Sequence, residues 1–320
     1  MNEALLDETR RELMKAKRIL VVSHIRPDGD AVGSLIGLGL ALQSAGKSVQ
    51  MVLEDGVPAS ESHLPGSEQV RKRSEGEFDL IIVVDCSDLT RVGNTLNGYG
   101  VPDWNIDHHI TNMNFARINI IDPDSASTAE LLTELLPAWE LPISKNVASV
   151  LLTGILTDTL GFRTSNVTPK TLRFAANLMD AGGDLFKLYR FSLLQHSYPA
   201  ARYWGIGLSK IQRDGRMVWT TLTAADRRIV EYSGCDDADL INMLSSITDT
   251  DVSLIFIEQN NSHIKVSWRS QPGFDVSQVA LHFGGGGHKA ASGADVEGSL
   301  EEVQNKVLTA TRALIQRSVQ

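Results

Sequence analysis

Eight acidic and imidazole side chains fall in four short islands in the first half of the chain. The first island is Ser23-His24-Ile25-Arg26-Pro27-Asp28-Gly29-Asp30. The second is Asp85, which ends the apolar run 80–85 (LIIVVD), and the third is Asp107-His108-His109, after the hydrophobic approach 104–106. The fourth is Asp158, inside 153–159. Carboxylate oxygens and imidazole nitrogens without thiolates suit Mn²⁺ or Mg²⁺, with Fe or Co²⁺ as alternatives, and speak against structural zinc. So many carboxylates fit a two-ion site. Anionic ligands must neutralise two cations, and one bridging carboxylate fixes their separation at about 3.5–4 Å. Water shared by two such ions loses its proton near neutral pH and can attack phosphorus in line.

Each island alone has an ordinary explanation. Asp28 or Asp30 could be a turn residue or a helix N-cap, Asp85 could cap the next helix, and a lone histidine is more often a satisfied or exposed residue than a ligand. All of these would have to hold together, at four places, most of them the same kind of element end. One tempting motif does not survive. Ala45-Gly46-Lys47-Ser48 resembles the end of a phosphate-binding loop, but the required earlier glycine is Ala41, and the segment lies after a helix and before a strand. Gly46 reads instead as the residue just past a helix end. Gly33, Gly37 and Gly39 read as close helix packing rather than a dinucleotide fingerprint.

The elements that must position the islands follow from periodicity. Residues 3–17 read as an amphipathic helix, 18–23 as a strand, 31–45 as a helix and 49–53 as a strand. The unbroken apolar run 80–85 suits a strand buried on both faces of a parallel sheet. Helices are expected at 127–136, 145–157 and 169–181. Residues 1–185 therefore read as a doubly wound α/β domain with a parallel sheet, whose strand C-termini are where open sheets place their ligands. A helical, aromatic stretch at 186–204 reads as a linker helix, a hinge or a dimer contact. Residues 205–320 read as a smaller α+β domain. Its expected strands are 208–212, 216–222 (with Asp214-Gly215 as the turn), 252–259 and 264–269 (with Asn260-Asn261 between them), and a final helix covers 300–317.

Composition bounds the function. At 320 residues, with 42% hydrophobic and 22% charged residues, two ordinary globular domains are expected. A net charge of -9 argues against coating long nucleic acid, which wants a basic face. Short nucleotides remain open, since bound metal ions add local positive charge. The two cysteines, Cys86 and Cys235, make no disulfide framework. The charged N-terminal stretch lacks an apolar signal core, and no apolar run is long enough to span a bilayer. A cytoplasmic protein with no membrane partner is the expectation.

In the second domain, Gly284, Gly285, Gly286 and Gly287 precede His288. Four glycines let a backbone take positive φ and turn N–H groups toward one anion, though such a run can also be a flexible turn. Arg269 ends a strand and could fork onto phosphate or stack on a base, or be an ordinary solvated arginine. Arg26 and Arg163 are further phosphate candidates.

Together these motifs resemble the DHH phosphoesterase superfamily. The resemblance rests on Asp107-His108-His109 with His24-x3-Asp28-x-Asp30, Asp85 and Asp158 upstream and downstream. Phe283 through Gly293 (FGGGGHKAASG) is similar to the glycine-rich motif of its DHH-associated domain. It spans essentially the whole chain, in the family's order, and is nearest to the nanoRNase and pAp-phosphatase branch. It implies one metal on His24, Asp28 and Asp85, and a second on Asp30, Asp85, His108 and Asp158, with Asp85 bridging. It further implies that His109 faces the phosphate, that Asp107 orients the histidines, and that the glycine run, His288 and Arg269 contact substrate phosphate.

The implied activity is a Mn²⁺-dependent phosphoesterase, with Mg²⁺ or Co²⁺ as alternative ions. Its substrates would be short RNA oligonucleotides, cut from one end, and 3′-phosphoadenosine 5′-phosphate (pAp). The closest rival within the enzymes is hydrolysis of cyclic dinucleotides or linear pApA or pGpG. From another class, a regulatory nucleotide-binding module could keep the fold without the chemistry, but it would be expected to lose at least one ligand.

Overall fold

The apolar runs at 18–23, 49–53 and 80–85 become three strands of a five-stranded, all-parallel sheet. The computed structural model describes residues 3–259 and 262–318. The strands are β1 (Arg18–Val22), β2 (Ser48–Val52), β3 (Leu80–Val84), β4 (Trp104–Asp107) and β5 (Ile118–Ile121), in the order β2-β1-β3-β4-β5. From β1 the chain adds β2 on one side and then returns to add β3 to β5 on the other. That reversal opens a crevice outside the carboxyl ends of β1 and β3, where doubly wound sheets bind ligands.

Both faces of the sheet are buried, which is why the strands are apolar without alternation. Ile19, Val21, Ile82, Val84, Trp104 and Ile106 face one core, while Leu20, Val22, Ile81 and Val83 face another with Cys86 and Val92. The first face is covered by helices. These are α1 (Glu3–Lys15), α2 (Gly29–Ser44), α3 (Thr128–Ala138), α4 (Lys145–Asp158) and α5 (Pro169–Asp180). The second face is covered by the irregular connection from β3 to β4, which holds only one short 3-10 turn, Leu89–Val92.

Helix α2 is buried almost all round, and its glycines are the reason it can be. A Cβ on Gly33 would stand 2.5 Å from the Val150 carbonyl oxygen of α4, and one on Gly37 would stand 2.6 Å from Leu151. On the facing helix, a Cβ on Gly154 would stand 2.6 Å from Asp30 Oδ1. The small residues thus let α2 and α4 touch and leave room for the Asp30 carboxylate. At the far end of α2, Gly46 has φ +80, its N–H donates to Gln43 O (2.9 Å), and the Lys47 N–H donates to Leu42 O (3.1 Å). This left-handed helix stop accounts for the Ala45–Ser48 sequence with no phosphate loop.

The chain separates into two compact units, Met1–Gln195 and His196–Gln320. Around that point, the stretch 186–204 expected as a linker helix is two helical pieces with a break at 195–197. They are α6 (Leu185–Tyr189), continued by a π turn over Arg190–Leu194, and α7 (Tyr198–Ser209), capped by the Ser197 side chain.

The second unit is a six-stranded mixed sheet with helices, as an α+β reading requires. Its strands are β6 (Gln212–Asp214), β7 (Met217–Leu222), β8 (Val252–Glu258), β9 (His263–Ser270), β10 (Gly286–His288) and β11 (Ala291–Glu297), in the order β10-β11-β9-β8-β7-β6. The hairpin turn at Gly215 has φ +59 as its position demands. One expectation is corrected: 208–212 is not a strand. Helix α7 runs through Ser209, started by its Ser197 cap and Pro199 in the first turn, and β6 begins only at Gln212. Strands β7 and β8 are parallel rather than a hairpin. Their crossover carries two short helices that periodicity did not reveal, α8 (Ala224–Ile229) and α9 (Leu240–Leu244). Helices α10 (Val276–His282) and α11 (Leu300–Ser318) complete the unit. The turn expected at Asn260-Asn261 lies outside the described residues. Among the described residues, no helix is long and apolar enough to cross a membrane.

Candidate metal centre

All four sequence islands of the first unit meet at the carboxyl ends of β1, β3 and β4. His24 follows β1, Asp28 and Asp30 begin α2, Asp85 follows β3, and Asp107 ends β4 just ahead of His108 and His109. Asp158 is the last residue of α4. Asp85 is held at φ +53, a left-handed backbone that costs a non-glycine residue, while its N–H still donates to Ile106 O at 2.9 Å. The sheet therefore pays for one carboxylate turned into the crevice.

Two groups of side chains offer ligand atoms close enough together to hold a cation, and they share Asp85. One is His24, Asp28 and Asp85, and the other is Asp30, Asp85 and His108, each with its ligand atoms within 4.8 Å of one another. His24 Nε2 lies 3.6 Å from Asp85 Oδ2. His108 Nε2 lies 3.3 Å from Asp158 Oδ2, 3.9 Å from Asp85 Oδ1 and 4.0 Å from Asp30 Oδ2. The other nitrogen of each ring meets a backbone carbonyl: His24 Nδ1 meets Ile25 O at 2.9 Å and His108 Nδ1 meets Ser125 O at 3.2 Å. A carbonyl only accepts, so each Nδ1 carries the proton and each Nε2 presents a lone pair toward the carboxylates. That is the tautomer a metal ligand needs.

Asp28 has a capping role as well. Its Oδ1 accepts from the N–H groups of Asp30 (3.1 Å) and Ala31 (3.0 Å) at the start of α2. The second oxygen remains for the group with His24 and Asp85, so the capping and ligand roles coexist.

Electrostatics fit a cation. Asp30 is buried, and burial, then the charges of Asp85, Asp158 and Asp28, push its carboxyl well above the ordinary range. Burial opposes ionisation of Asp85 too, but the neighbouring imidazoles of His24, His109 and His108 outweigh it and hold the carboxyl well below that range. Crowded carboxylates in a buried site repel one another, and divalent ions relieve that repulsion. A pH-dependent stabilisation follows. A group whose folded pKa is raised contributes stability below its unfolded pKa and loses it as pH rises through the folded value. Metal binding requires that proton to leave Asp30. The rise in Tm on adding Mn²⁺ is therefore expected to be larger at pH 8 than at pH 5. A thermal-shift series in which the rise is equal at both would contradict this.

His109 and Asp107 form a separate unit beside the crevice. His109 Nδ1 donates to Asp107 Oδ1 at 2.7 Å, and Asn112 Nδ2 donates to Asp107 Oδ2 at 2.6 Å. Asn112 also donates to Asn105 Oδ1 at 2.7 Å. Both carboxylate oxygens of Asp107 are thus engaged, although Asp107, His109 and Asp85 also lie close enough to be counted as a third cation group. Burial works against protonation of His109, but the Asp107 charge and hydrogen bond prevail and raise its pKa. The same histidine, with burial opposing, holds Asp107 below the ordinary range.

Several contributors carry no sequence signal. The N-terminus of α3 grips two of the carboxylates. Thr128 N–H donates to Asp30 Oδ2 (2.7 Å), Ala129 N–H to Asp30 Oδ1 (3.0 Å), and Thr128 Oγ1 to Asp85 Oδ1 (2.9 Å). The backbone donors are invisible in a residue code, and a threonine beside Ser127 reads as an ordinary cap. Thr128→Val keeps the shape and removes the Oγ1 bond. Its Mn²⁺ affinity, measured by calorimetry, is expected to fall about 10–100-fold, as for other outer contacts to metal ligands. Unchanged affinity would show that Thr128 does not orient Asp85.

In the second unit, Gly286 and Gly287 lie in strand β10, and Gly284 and Gly285 form the turn that leads into it. Gly286–His288 pairs antiparallel with Ala291–Gly293, and Arg269 of β9 pairs with Ala291 on the far side of β11. Gly284 (φ +74) and Gly287 (φ +134) take the backbone that favours glycine. A Cβ on Gly285 would collide with the Gly293 carbonyl. His288 of the edge strand β10 therefore pairs with Ala291, and Ala291 pairs with Arg269 of the interior strand β9, with Gly284, Gly285, Gly286 and Gly287 leading up to His288. Of the other arginines, Arg26 has φ +54 and its N–H donates to Asp55 Oδ2 at 2.6 Å, and Arg163 Nε donates to Leu160 O at 3.2 Å.

Comparison with known proteins identifies two families along the chain. Residues 18–155 match the DHH family, N-terminal domain, and residues 234–317 match the DHHA1 domain. The chain is 33% identical to the bifunctional oligoribonuclease and PAP phosphatase NrnA of Thermus thermophilus, covering 96% of this chain and 94% of the relative. It is 24% identical to the cyclic-di-AMP phosphodiesterase PdeA of Listeria monocytogenes, covering 97% of this chain but 50% of that protein. Among solved structures, an exopolyphosphatase-related protein from Bacteroides fragilis superposes with a TM-score of 0.87 at 28% identity, covering 99% of this chain and 96% of that one.

Proposed function

The chain belongs to the DHH family and is a phosphoric ester hydrolase, and from that premise we propose that it degrades short RNA oligonucleotides and pAp at a pair of divalent ions, Mn²⁺ foremost. The observation that carries the reading is the pair of ligand groups joined by Asp85. On this reading His24, Asp28 and Asp85 would hold one ion, and Asp30, Asp85 and His108, with Asp158 beside them, would hold the other. The ions, when bound, supply positive charge opposite the phosphate and acidity to a nucleophilic water.

The chain's own residues do the remaining work. Asp85, turned by its left-handed backbone, sets the spacing of the two ligand groups. His24 and His108, locked in one tautomer by backbone carbonyls, present Nε2 without reorganisation. The Asp107–His109 hydrogen bond orients the imidazole and favours its charged form, in which it can stabilise phosphoryl oxygen charge and donate a proton to the leaving oxygen. Arg269, His288 and the glycine run are assigned to phosphate binding. Their clustering along β10, β11 and β9, and the positive φ of Gly284 and Gly287, support that role.

The test is a substrate panel. Purified protein with Mn²⁺ is given pAp, RNA dinucleotides, linear pApA and pGpG, and cyclic dinucleotides. Release of phosphate from pAp and mononucleotides from RNA dinucleotides is expected to be fastest. If linear pApA or a cyclic dinucleotide is preferred instead, the second reading holds, which the likeness to PdeA favours. No release from any of them would refute the proposal.

A further inference from the structure

The sheet face turned away from the long helices carries a cavity of about 1090 Å³ that no group discussed so far uses. It lies wholly within the first unit, lined by the segments 72–78 and 94–99. Phe78 and Tyr99 form a ring pair in its wall, with centroids 5.6 Å apart, and the Arg18 guanidinium stands over the Phe78 ring at 5.9 Å. Exposed Lys72 and Arg73 also line it, part of the basic run Arg71-Lys72-Arg73 in a chain whose net charge is -9. Of the two lining acids, Glu77 is exposed, while Glu54 accepts from both the backbone N–H and the Nδ2 of Asn94. The charge of Glu54 is thus engaged within the wall.

This cavity adjoins the metal-binding loop. Ile25 N–H, next to His24, donates to Arg91 O at 2.7 Å, and Arg26 N–H donates to Asp55 Oδ2 beside Glu54. A Cβ on Gly93 would touch both Ile25 and Glu54. One wall of the cavity and the first ligand loop therefore share a boundary. Cations for phosphates beside half-buried aromatic rings, whose open edges could meet a base, are equipment suited to a single-strand nucleic-acid site.

We propose that the cavity is a second RNA subsite, holding the distal phosphates and an unstacked base of an oligonucleotide whose end lies at the metal centre. It rests on the reading above and adds chain-length selection to it. A dinucleotide or pAp is too short to gain from such a site, and a longer oligonucleotide is not.

The test compares the wild type with a Lys72→Gln/Arg73→Gln double variant and with Tyr99→Ser, on an RNA pentanucleotide and an RNA dinucleotide at two salt concentrations. The double variant is expected to lose about tenfold in kcat/KM on the pentanucleotide, with a salt slope shallower by about 1.4, since each single-strand phosphate contact contributes about 0.7. Tyr99→Ser is expected to lose about tenfold on the pentanucleotide without changing the slope, as loss of stacking predicts. Dinucleotide and pAp turnover should stay within about twofold of wild type, as neither reaches the site. A pentanucleotide rate that is unchanged, or that falls in step with the dinucleotide rate, would overturn the proposal. If the wild type cleaves no dinucleotide, the functional reading fails instead. Fluorescence anisotropy with a labelled pentanucleotide then still decides the subsite, because equal affinity for wild type and double variant would overturn it.

Discussion

Asp85→Asn is expected to abolish turnover while leaving the fold intact. Asparagine tolerates the left-handed backbone found at this position, and its side-chain oxygen can still accept from Thr128 Oγ1. What it loses is the charge, and with it the carboxylate common to both ligand groups. Loss of one electrostatic stabiliser in an active site costs about 10²–10³-fold in kcat. Loss of a shared ligand should cost more, because both ions are affected. Asp85→Ala should do the same, with the backbone strain added. Steady-state rates on pAp, with circular dichroism to confirm folding, measure this. A folded Asp85→Asn protein with a near-normal rate would refute the bridging role.

His109→Asn is expected to lower kcat by about 10²–10³-fold with little effect on metal affinity. The reasoning turns on which atoms are engaged. His109 Nδ1–H donates a hydrogen bond to Asp107 Oδ1, whose other oxygen accepts from Asn112, so the pair is a hydrogen-bonded unit of its own. His108 Nδ1 instead meets the Ser125 carbonyl, and its Nε2 points among Asp30, Asp85 and Asp158. Neighbours in sequence, the two histidines are built for different work. His109→Asn should therefore change kcat at constant Mn²⁺ affinity, and His108→Asn should weaken Mn²⁺ binding first. If His109→Asn also loses Mn²⁺, the nearby group of Asp85, Asp107 and His109 is a metal site and the assignment is wrong.

What was legible in the sequence is explained by what each feature demands. The islands at His24–Asp30, Asp85 and Asp107–His109 show because the chemistry requires those residue types, and because strand C-termini in a parallel sheet lie together whatever the loops do. The close packing of α2 on α4 was readable from Gly33 and Gly37, since only small residues allow it. The support from Thr128 and Ala129 was not, because two of its three hydrogen bonds come from backbone N–H groups. Asn112 was missed for a related reason, as its role depends on meeting Asp107 and Asn105 in space. In the second unit, 208–212 looked like a strand because two apolar residues in five, Leu208 and Ile211, fix no period, and α7 in fact runs on to Ser209. Helices α8 and α9 are each under two turns, too short for amphipathic spacing to show. The glycine run was read for its φ freedom, which Gly284 and Gly287 use. The role of Gly285, close approach to β11, needed the sheet register.

The central claim is that two ions sit side by side on a shared Asp85. The most direct measurement is a Mn²⁺ titration of the metal-free protein followed by electron paramagnetic resonance. Two ions about 3.5–4 Å apart are magnetically coupled. The account predicts that two equivalents per chain bind before free Mn²⁺ appears, with a coupled spectrum in the wild type that Asp85→Asn abolishes. A single equivalent per chain, or two that give only the uncoupled six-line signal, would contradict it.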